Sequence, residues 1–151
     1  MLEILIKGPI THEIISGKLA ELGNRKETGG HSVFLGQVRA DIIDGKKVAA
    51  IEYSAYENMV AAEVEQILEK ISRDYCDVRS AGLLHSVGLV RAGEISLFVM
   101  VSAGHRDHAI RACSELVELI KQRLPVWKKE IFEDESHRWT ANGQVSDKPH
   151  P

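Results

Sequence analysis

The segment Glu94–Ser102 constrains the fold more than any other part of the sequence. Between Ile95 and Val101 only Ser96 interrupts a run of apolar side chains. A strand with one face in water alternates apolar and polar residues, whereas a strand covered on both faces is apolar throughout. We therefore predict a central strand with packing partners on both of its faces.

Two segments with helical periodicity can supply that cover. Apolar side chains recur every three or four residues in Tyr56–Tyr75 and again in Arg106–Leu124. Pro125 ends the second helix, because proline has no N–H and clashes with the preceding turn. A shorter helix is predicted over Thr11–Leu22, with the threonine as its cap.

The other segments indicate strands and loops. The predicted strands are Leu2–Lys7, His31–Val38, Val48–Ala55, Val78–Val90 as one strand or as two broken near Gly88, and Val126–Phe132, with which Arg138–Thr140 can pair. Residues 39–47 contain Asp44-Gly45 and are typical of a mobile loop or hairpin tip. This order predicts an α+β fold, with two long helices packed on a mainly antiparallel or mixed sheet. Residues 1–140 are predicted to be one domain, and 141–151 a disordered polar tail.

Composition excludes several classes of protein. The net charge of -3 over 151 residues argues against a nucleic-acid binder, which is usually basic. No stretch approaches the ~20 apolar residues that span a bilayer, and the N-terminus lacks the pattern of a signal peptide. Cys76 and Cys113 form no CxxC pair, so we expect reduced thiols and no cysteine zinc site. We expect a cytoplasmic protein with neither a membrane nor a nucleic-acid partner.

A local cluster of positive charge stands against this acidic average. The run Lys121–Glu130 reads KQRLPVWKKE, with no acid before its last residue. Basic side chains at a helix C-terminus complement the helix dipole, which accounts for Lys121 and Arg123. That reason does not extend to Lys128 and Lys129, which follow the proline. A turn between the two pairs could direct several ammonium groups at one anionic ligand or reaction centre.

Three further positions suggest anion binding, each with a plain alternative. His105 and Arg106 begin the second long helix, where positive side chains oppose the helix dipole unless a negative group is near. Arg39 ends a predicted strand. The alternatives are a packing histidine and arginines that are solvated or paired, for instance with Asp107. His105 and His108 could share a metal, but no third ligand has a matching position, so we predict no metal site.

Several motifs, taken in order, resemble one family. They are FLGQVR at 34–39, EYSAYENM at 52–59, HSVG at 85–88, GE at 93–94, SAGHR at 102–106, and PVWKKE at 125–130 preceded by Lys121. The ordered set resembles the large, catalytic subunits of molybdopterin synthase, the MoaE family, over nearly the whole chain. The resemblance implies an α/β hammerhead-like domain with a small extra antiparallel β subdomain.

The resemblance implies a sulfurtransferase of molybdenum-cofactor biosynthesis with no cofactor of its own. Its substrate would be cyclic pyranopterin monophosphate, also called precursor Z, which receives two sulfurs to form the dithiolene of molybdopterin. Each sulfur would arrive as the C-terminal thiocarboxylate of a small ubiquitin-like carrier subunit. The implied assembly is a heterotetramer, in which a homodimer of large subunits holds one carrier at each end.

The resemblance also implies roles for single residues. Lys121 and Lys128 match the two catalytic lysines. The residues that match substrate-binding positions are Gln37, Val38, Arg39, His105, Arg106, Lys129 and Glu130. The chain departs from the family at Ser86, where an arginine is frequent, and at 133–137, which is more acidic than the expected glycine-containing turn.

Two other functions remain open on the sequence. A non-catalytic module could use the same cations to bind a ubiquitin-like tail or a small phosphate ligand. An RNA-binding domain could use the basic run with Trp127, although the net charge disfavours it.

Overall fold

The computed structural model describes residues 3–141, which form three helices and eight strands. The elements in chain order are β1 (Leu5–Lys7), α1 (His12–Leu22), β2 (Gly30–Gln37), β3 (Ile42–Ile43), β4 (Lys46–Ala55), α2 (Glu57–Asp74), β5 (Val78–Arg91), β6 (Ile95–Ala103), α3 (Arg106–Arg123), β7 (Val126–Phe132) and β8 (His137–Ala141). The predicted tail lies outside the described residues, except for Ala141, which ends β8.

The strands form a single mixed sheet. Its order is β2-β6-β5-β4-β7-β8, with β1 beside β5 and β3 beside β4. The β1–β5 pair is parallel, and the other pairs in the described part of the chain are antiparallel. The predicted α+β fold, with two long helices on a mainly antiparallel or mixed sheet, is confirmed. The short α1 is a third helix.

Strand β6 is covered on both faces, as its sequence predicts. Leu97, Val99 and Val101 belong to the main core, to which α2 and α3 contribute their buried stripes. Phe98 joins Ile10 in a second cluster, against which partly buried residues of α1 pack. Burial of this kind, at about 25 cal/mol per Å² of apolar surface, is the main force that assembles the sheet and helices.

Strand β5 runs unbroken for 14 residues, so of the two alternatives for this segment a single strand is correct and a break near Gly88 is wrong. Its first part pairs with β6, whereas residues 88–91 pair with β4. Gly88 lies where the partner changes and has a φ of +83°, a conformation that strains any residue with a side chain. The chain therefore passes from one half of the sheet to the other without leaving the strand.

Two turns set the geometry around the basic run. Leu124 still donates its N–H to the Ile120 carbonyl at 3.0 Å, and Pro125 then prevents a further helical turn. Strand β7 begins immediately afterwards. Lys121 therefore lies in the last turn of α3 and Lys128 lies in the adjacent strand, as predicted.

The hairpin predicted within 39–47 is present between β3 and β4. Its turn residues Asp44 and Gly45 have φ values of 51° and 78°, which suit a two-residue hairpin turn. The acidic turn between β7 and β8 uses a similar conformation without glycine, because Glu135 has a φ of 70°.

Within residues 3–141, no helix is long and apolar enough to cross a membrane. Cys76 and Cys113 are both free thiols.

Candidate functional site

A cavity of about 490 Å³ opens where β2, β4, β7 and the end of α3 approach one another. Its volume falls in the range of sites for small molecules. The charged side chains that line it are Arg39, Asp41, Lys121, Lys128, Glu130 and Arg138. Four of these are cations and two are acids, so the cavity favours an anionic ligand.

Strand alternation determines which residues of the basic run enter the cavity. Lys128 lies opposite Tyr53 of β4, and Glu130 follows two residues later on the same face of β7. Lys129 lies between them and does not line the cavity. Its ammonium is 3.7 Å from a carboxylate oxygen of Glu52 and 5.7 Å from the centre of the Trp139 ring.

The lysines and arginines of the cavity differ in their partners. Arg39 lies 3.3 Å from Asp41, and Arg138 lies 3.1 Å from Glu130. Neither lysine of the cavity has a carboxylate within 4.0 Å among the residues that the structure describes. Their positive charges are therefore available to a ligand.

The environment of Lys128 favours loss of its proton. Burial is the largest cause that lowers the pKa of its ammonium, and the charges of Lys121 and Arg39 lower it further. Glu130 acts in the opposite direction. Lys128 can therefore exchange a proton more readily than a lysine in water.

A buried histidine forms part of the cavity wall. His85 is 5% exposed, and its Nδ1 lies 2.7 Å from the Ser86 carbonyl oxygen. A carbonyl only accepts, so Nδ1 carries the proton and Nε2 is unprotonated in the neutral ring. Burial, and next the charges of the two lysines, lower the pKa of His85 to about 4. The edge of the Tyr53 ring packs against it at 5.2 Å between centroids.

The neighbouring departure from the family lies outside the cavity. Ser86 is fully buried and is not one of the lining residues, in keeping with the alternation of side chains along β5. Ser86 therefore contributes nothing to the wall of the cavity. Tyr53 donates its hydroxyl hydrogen to Ser96 Oγ at 3.1 Å, and burial raises its pKa.

Eight of the nine predicted site residues fall into two groups, and Lys129 belongs to neither because it does not line the cavity. Those that line the cavity are Gln37, Val38, Arg39, Lys121, Lys128 and Glu130. His105 and Arg106 lie at the other end of α3, and the separation of 15 positions from Arg106 to Lys121 corresponds to about 22 Å of helix. One small ligand cannot contact both groups of a single chain.

Asp77 provides the negative group that the start of α3 requires. Its Oδ2 accepts the backbone N–H of His105 at 2.9 Å and approaches Nδ1 of His105 and of His108 at 3.2 and 2.8 Å. Hydrogen bonding to His108, followed by that to His105, lowers the pKa of Asp77 to about 2. Ligand atoms of the three residues lie within 4.8 Å of one another and could hold a metal. Asp77 is therefore a possible third ligand, and the prediction that no residue has a matching position is wrong.

Sequence patterns missed four residues of these two sites: Tyr53, His85, Arg138 and Asp77. Three of them lie on predicted strands, and strand pairing would have placed Arg138 opposite Glu130. Asp77 had no usable signal, because its contacts join residues about 30 positions apart in the chain.

Known proteins resemble this chain in sequence and in fold. The family model described as "MoaE protein" matches residues 10–123. The molybdopterin synthase catalytic subunit of Dictyostelium discoideum is 36% identical over 117 residues, which cover 76% of this chain and 73% of that protein. Curated relatives from three Drosophila species carry the same name, and the chain spans about a third of their length.

Solved structures agree with this result. Molybdopterin synthase from Staphylococcus aureus superposes with a TM-score of 0.78 and 31% identity, covering 90% of this chain and 94% of that one. A complex of subunits 1 and 2 of the molybdopterin-converting factor from Helicobacter pylori contains a chain with a TM-score of 0.75. At 21% identity, with 97% of this chain and 92% of that one covered, it supports the fold alone. Because the family model covers most of the residues that build the fold and the cavity, the chain belongs to the MoaE protein family.

Proposed function

We propose that this chain is the catalytic subunit of a molybdopterin synthase and acts in molybdenum-cofactor biosynthesis. In this proposal it transfers sulfur from the C-terminal thiocarboxylate of a small ubiquitin-like carrier to cyclic pyranopterin monophosphate. The observation that carries the proposal is the presence in one cavity of two lysines that have no carboxylate partner within residues 3–141, in a chain of the MoaE family.

The charges of the reactants explain why such a cavity is useful. The substrate carries a phosphate and the sulfur donor is an anion, so the two repel each other as they approach. Cations that are fixed in a partly buried site offset this repulsion and need little reorganisation during the reaction. Arginine suits a forked contact with phosphate, whereas lysine acts as a compact and movable charge.

The two lysines take different roles in the proposed reaction. The thiocarboxylate sulfur bonds to a carbon of the pterin side chain while the bond from that carbon to its oxygen substituent breaks. The oxygen leaves with the electron pair, as phosphate from the ester or as water after protonation, and the carrier stays attached through sulfur as an acyl group. Water then cleaves the bond between sulfur and the acyl carbon, which returns the carrier as a carboxylate. Lys128 acts at the reacting carbons, because its lowered pKa suits proton transfer. Lys121 holds the thiocarboxylate or acyl oxygen as a fixed positive charge.

A second copy of the chain completes the proposed site. His105 and Arg106 match substrate-binding positions, yet about 22 Å of α3 separate Arg106 from Lys121. In a symmetric homodimer, the helix start of one protomer can reach the cavity of its partner. The proposed site therefore contains the lysines of one protomer and His105 and Arg106 of the other.

The small carrier is the second proposed partner. The Helicobacter pylori structure is a complex of subunits 1 and 2 of a molybdopterin-converting factor, and one of its chains shares this fold. By analogy, we propose a small subunit as the partner of this chain. One carrier on each large subunit of a homodimer gives the proposed heterotetramer.

Turnover by lysine variants tests the proposal. With thiocarboxylated carrier and precursor, we expect Lys121→Ala and Lys128→Ala each to lower molybdopterin formation about a hundredfold or more, while carrier binding persists. Arg123→Ala is the control. Arg123 also ends α3 but bonds to Glu63 and does not line the cavity, so this variant should stay active. Normal turnover by both lysine variants would refute the catalytic roles, and binding without turnover in the wild type would indicate a non-catalytic module.

A further inference from the structure

Asp77 is held more firmly than an ordinary surface carboxylate. Its side chain is 15% exposed, and Oδ2 meets one backbone N–H and two imidazole nitrogens. The backbone carbonyl of the same residue accepts the N–H of Gly104 at 3.1 Å. Both the main chain and the side chain of Asp77 are thus hydrogen-bonded to the segment that begins α3.

Glycines keep the space that this arrangement needs. A Cβ atom on Gly104 would lie 2.5 Å from Oδ1 of Asp77, and one on Gly29 would lie 2.2 Å from the Gly104 carbonyl oxygen. Real Cβ atoms essentially never approach other atoms so closely. Three separate chain segments therefore pack closely before α3. A side chain at position 104 would displace the Asp77 carboxylate, and one at position 29 would displace the Gly104 carbonyl.

The shared carboxylate determines the tautomer of both histidines. An ionised carboxylate only accepts hydrogen bonds, so Nδ1 of His105 and Nδ1 of His108 must both carry a proton. The two rings meet edge to face, with centroids 6.2 Å apart. His105 is 80% exposed, so its Nε2 edge is free to meet a ligand while its Nδ1 edge is held.

We infer that Asp77 is a positioning residue for His105: together with His108 it fixes the Nδ1 edge and presents Nε2 to the substrate. This inference rests on the proposed function, in which His105 contacts the pterin phosphate in the partner's cavity. A second layer of residues that orients a histidine through its other nitrogen is a common device at functional sites.

The charges around the cluster favour hydrogen bonds over a bound metal. The guanidinium of Arg79 lies 3.7 Å from Oδ1 of Asp77, and Arg106 opens the helix beside it. The N-terminus of α3 also contributes positive dipole charge. These three positive contributions oppose a divalent cation, although the ligand atoms are close enough to hold one.

The test is Asp77→Asn in the full chain with its carrier. The amide oxygen of asparagine can still accept the N–H of His105, so the fold should persist. We expect kcat/KM for the precursor to fall about ten- to a hundredfold, mainly through a higher KM, because a charged hydrogen bond is lost. Asp107→Asn is the matched control. Asp107 lies in the first turn of α3, close to His105 in the chain, but its Oδ2 pairs with the guanidinium of Arg111 at 2.6 Å. The activity of this variant should therefore be unchanged.

Two further measurements separate positioning from general damage. Two-bond ¹H–¹⁵N spectra of the imidazoles should show the Nδ1–H tautomer of His105 in the wild type and a tautomer mixture in Asp77→Asn. On a His105→Ala background, Asp77→Asn should cause no additional loss, because it acts through the absent ring. An unchanged tautomer, a further tenfold loss in the double variant, or stoichiometric Zn²⁺ binding at the cluster would overturn the inference.

Failure of the proposed function gives a different result. If His105→Ala alone leaves turnover normal, or if the wild type makes no molybdopterin, then the role of His105 in catalysis is wrong. The spectra need no substrate, so they report whether Asp77 fixes the histidine in either case.

Discussion

The buried His85 should make the folded protein sensitive to mild acid. Its pKa is lowered from 6.5 to about 4 in the fold, chiefly because burial disfavours the charged ring. Between these values the unfolded chain binds a proton that the folded chain does not, so stability decreases as the pH falls. The full shift corresponds to about 3 kcal/mol, of which about 2 kcal/mol is lost between pH 7 and pH 5.

The variant His85→Asn isolates this contribution. An asparagine amide can donate to the Ser86 carbonyl in place of Nδ1–H but does not titrate in this range. The free energy of unfolding should be measured in urea at pH 7 and at pH 5. We expect the wild type to lose about 2 kcal/mol more than the variant between the two conditions, whatever the variant loses through poorer packing.

The control for this experiment is the variant His137→Gln. His137→Gln removes an exposed histidine of β8 and should keep the full pH dependence of the wild type. Asp77 and Asp134, each with a pKa lowered to about 2, affect stability mainly below pH 4, outside the window used. Equal losses in the wild type and His85→Asn would show that His85 is not kept neutral by burial, and that reasoning would fail.

Two further predictions concern the proposed dimer and the turn between β7 and β8. Lys128→Ala and Arg106→Ala protomers, each inactive alone, should regain about one quarter of wild-type turnover after random reassociation, because half of the dimers then contain one intact site. Persistent inactivity would mean that both residues serve the same protomer. Glu135→Gly should raise the free energy of unfolding by about 0.5 to 1 kcal/mol in urea titrations, because glycine relieves the strain of a φ of 70°. A loss of stability would contradict that explanation.

The long elements were predictable because local patterns determine them. The apolar run around Phe98 required cover on both faces, and the stripe of α3 and the proline after Leu124 marked that helix and its end. The prediction left two alternatives open at Gly88, where glycine suggested an interruption. A positive φ can also let a continuous strand change its partner, and that depends on neighbours that the local sequence does not specify.

The candidate site was predictable only in part. Motifs identified Arg39 and both cavity lysines, but they gave no geometry. They grouped His105 and Arg106 with the lysines, although the length of the predicted helix already implied a separation of about 22 Å. Asp77 could not be found, because its role arises from contacts between β5 and α3 that form only in the folded chain.

Helix α3 also has a mechanical consequence. Its 18 residues form a stiff rod with Lys121 near one end and His105 just before the other. In the proposed dimer, these ends belong to the cavities of two different protomers. A displacement of the helix along its axis moves both ends together, so the geometry of one cavity cannot change independently of the other. The spacing of the proposed catalytic groups in the two halves of the dimer would therefore be linked by the rigidity of one helix.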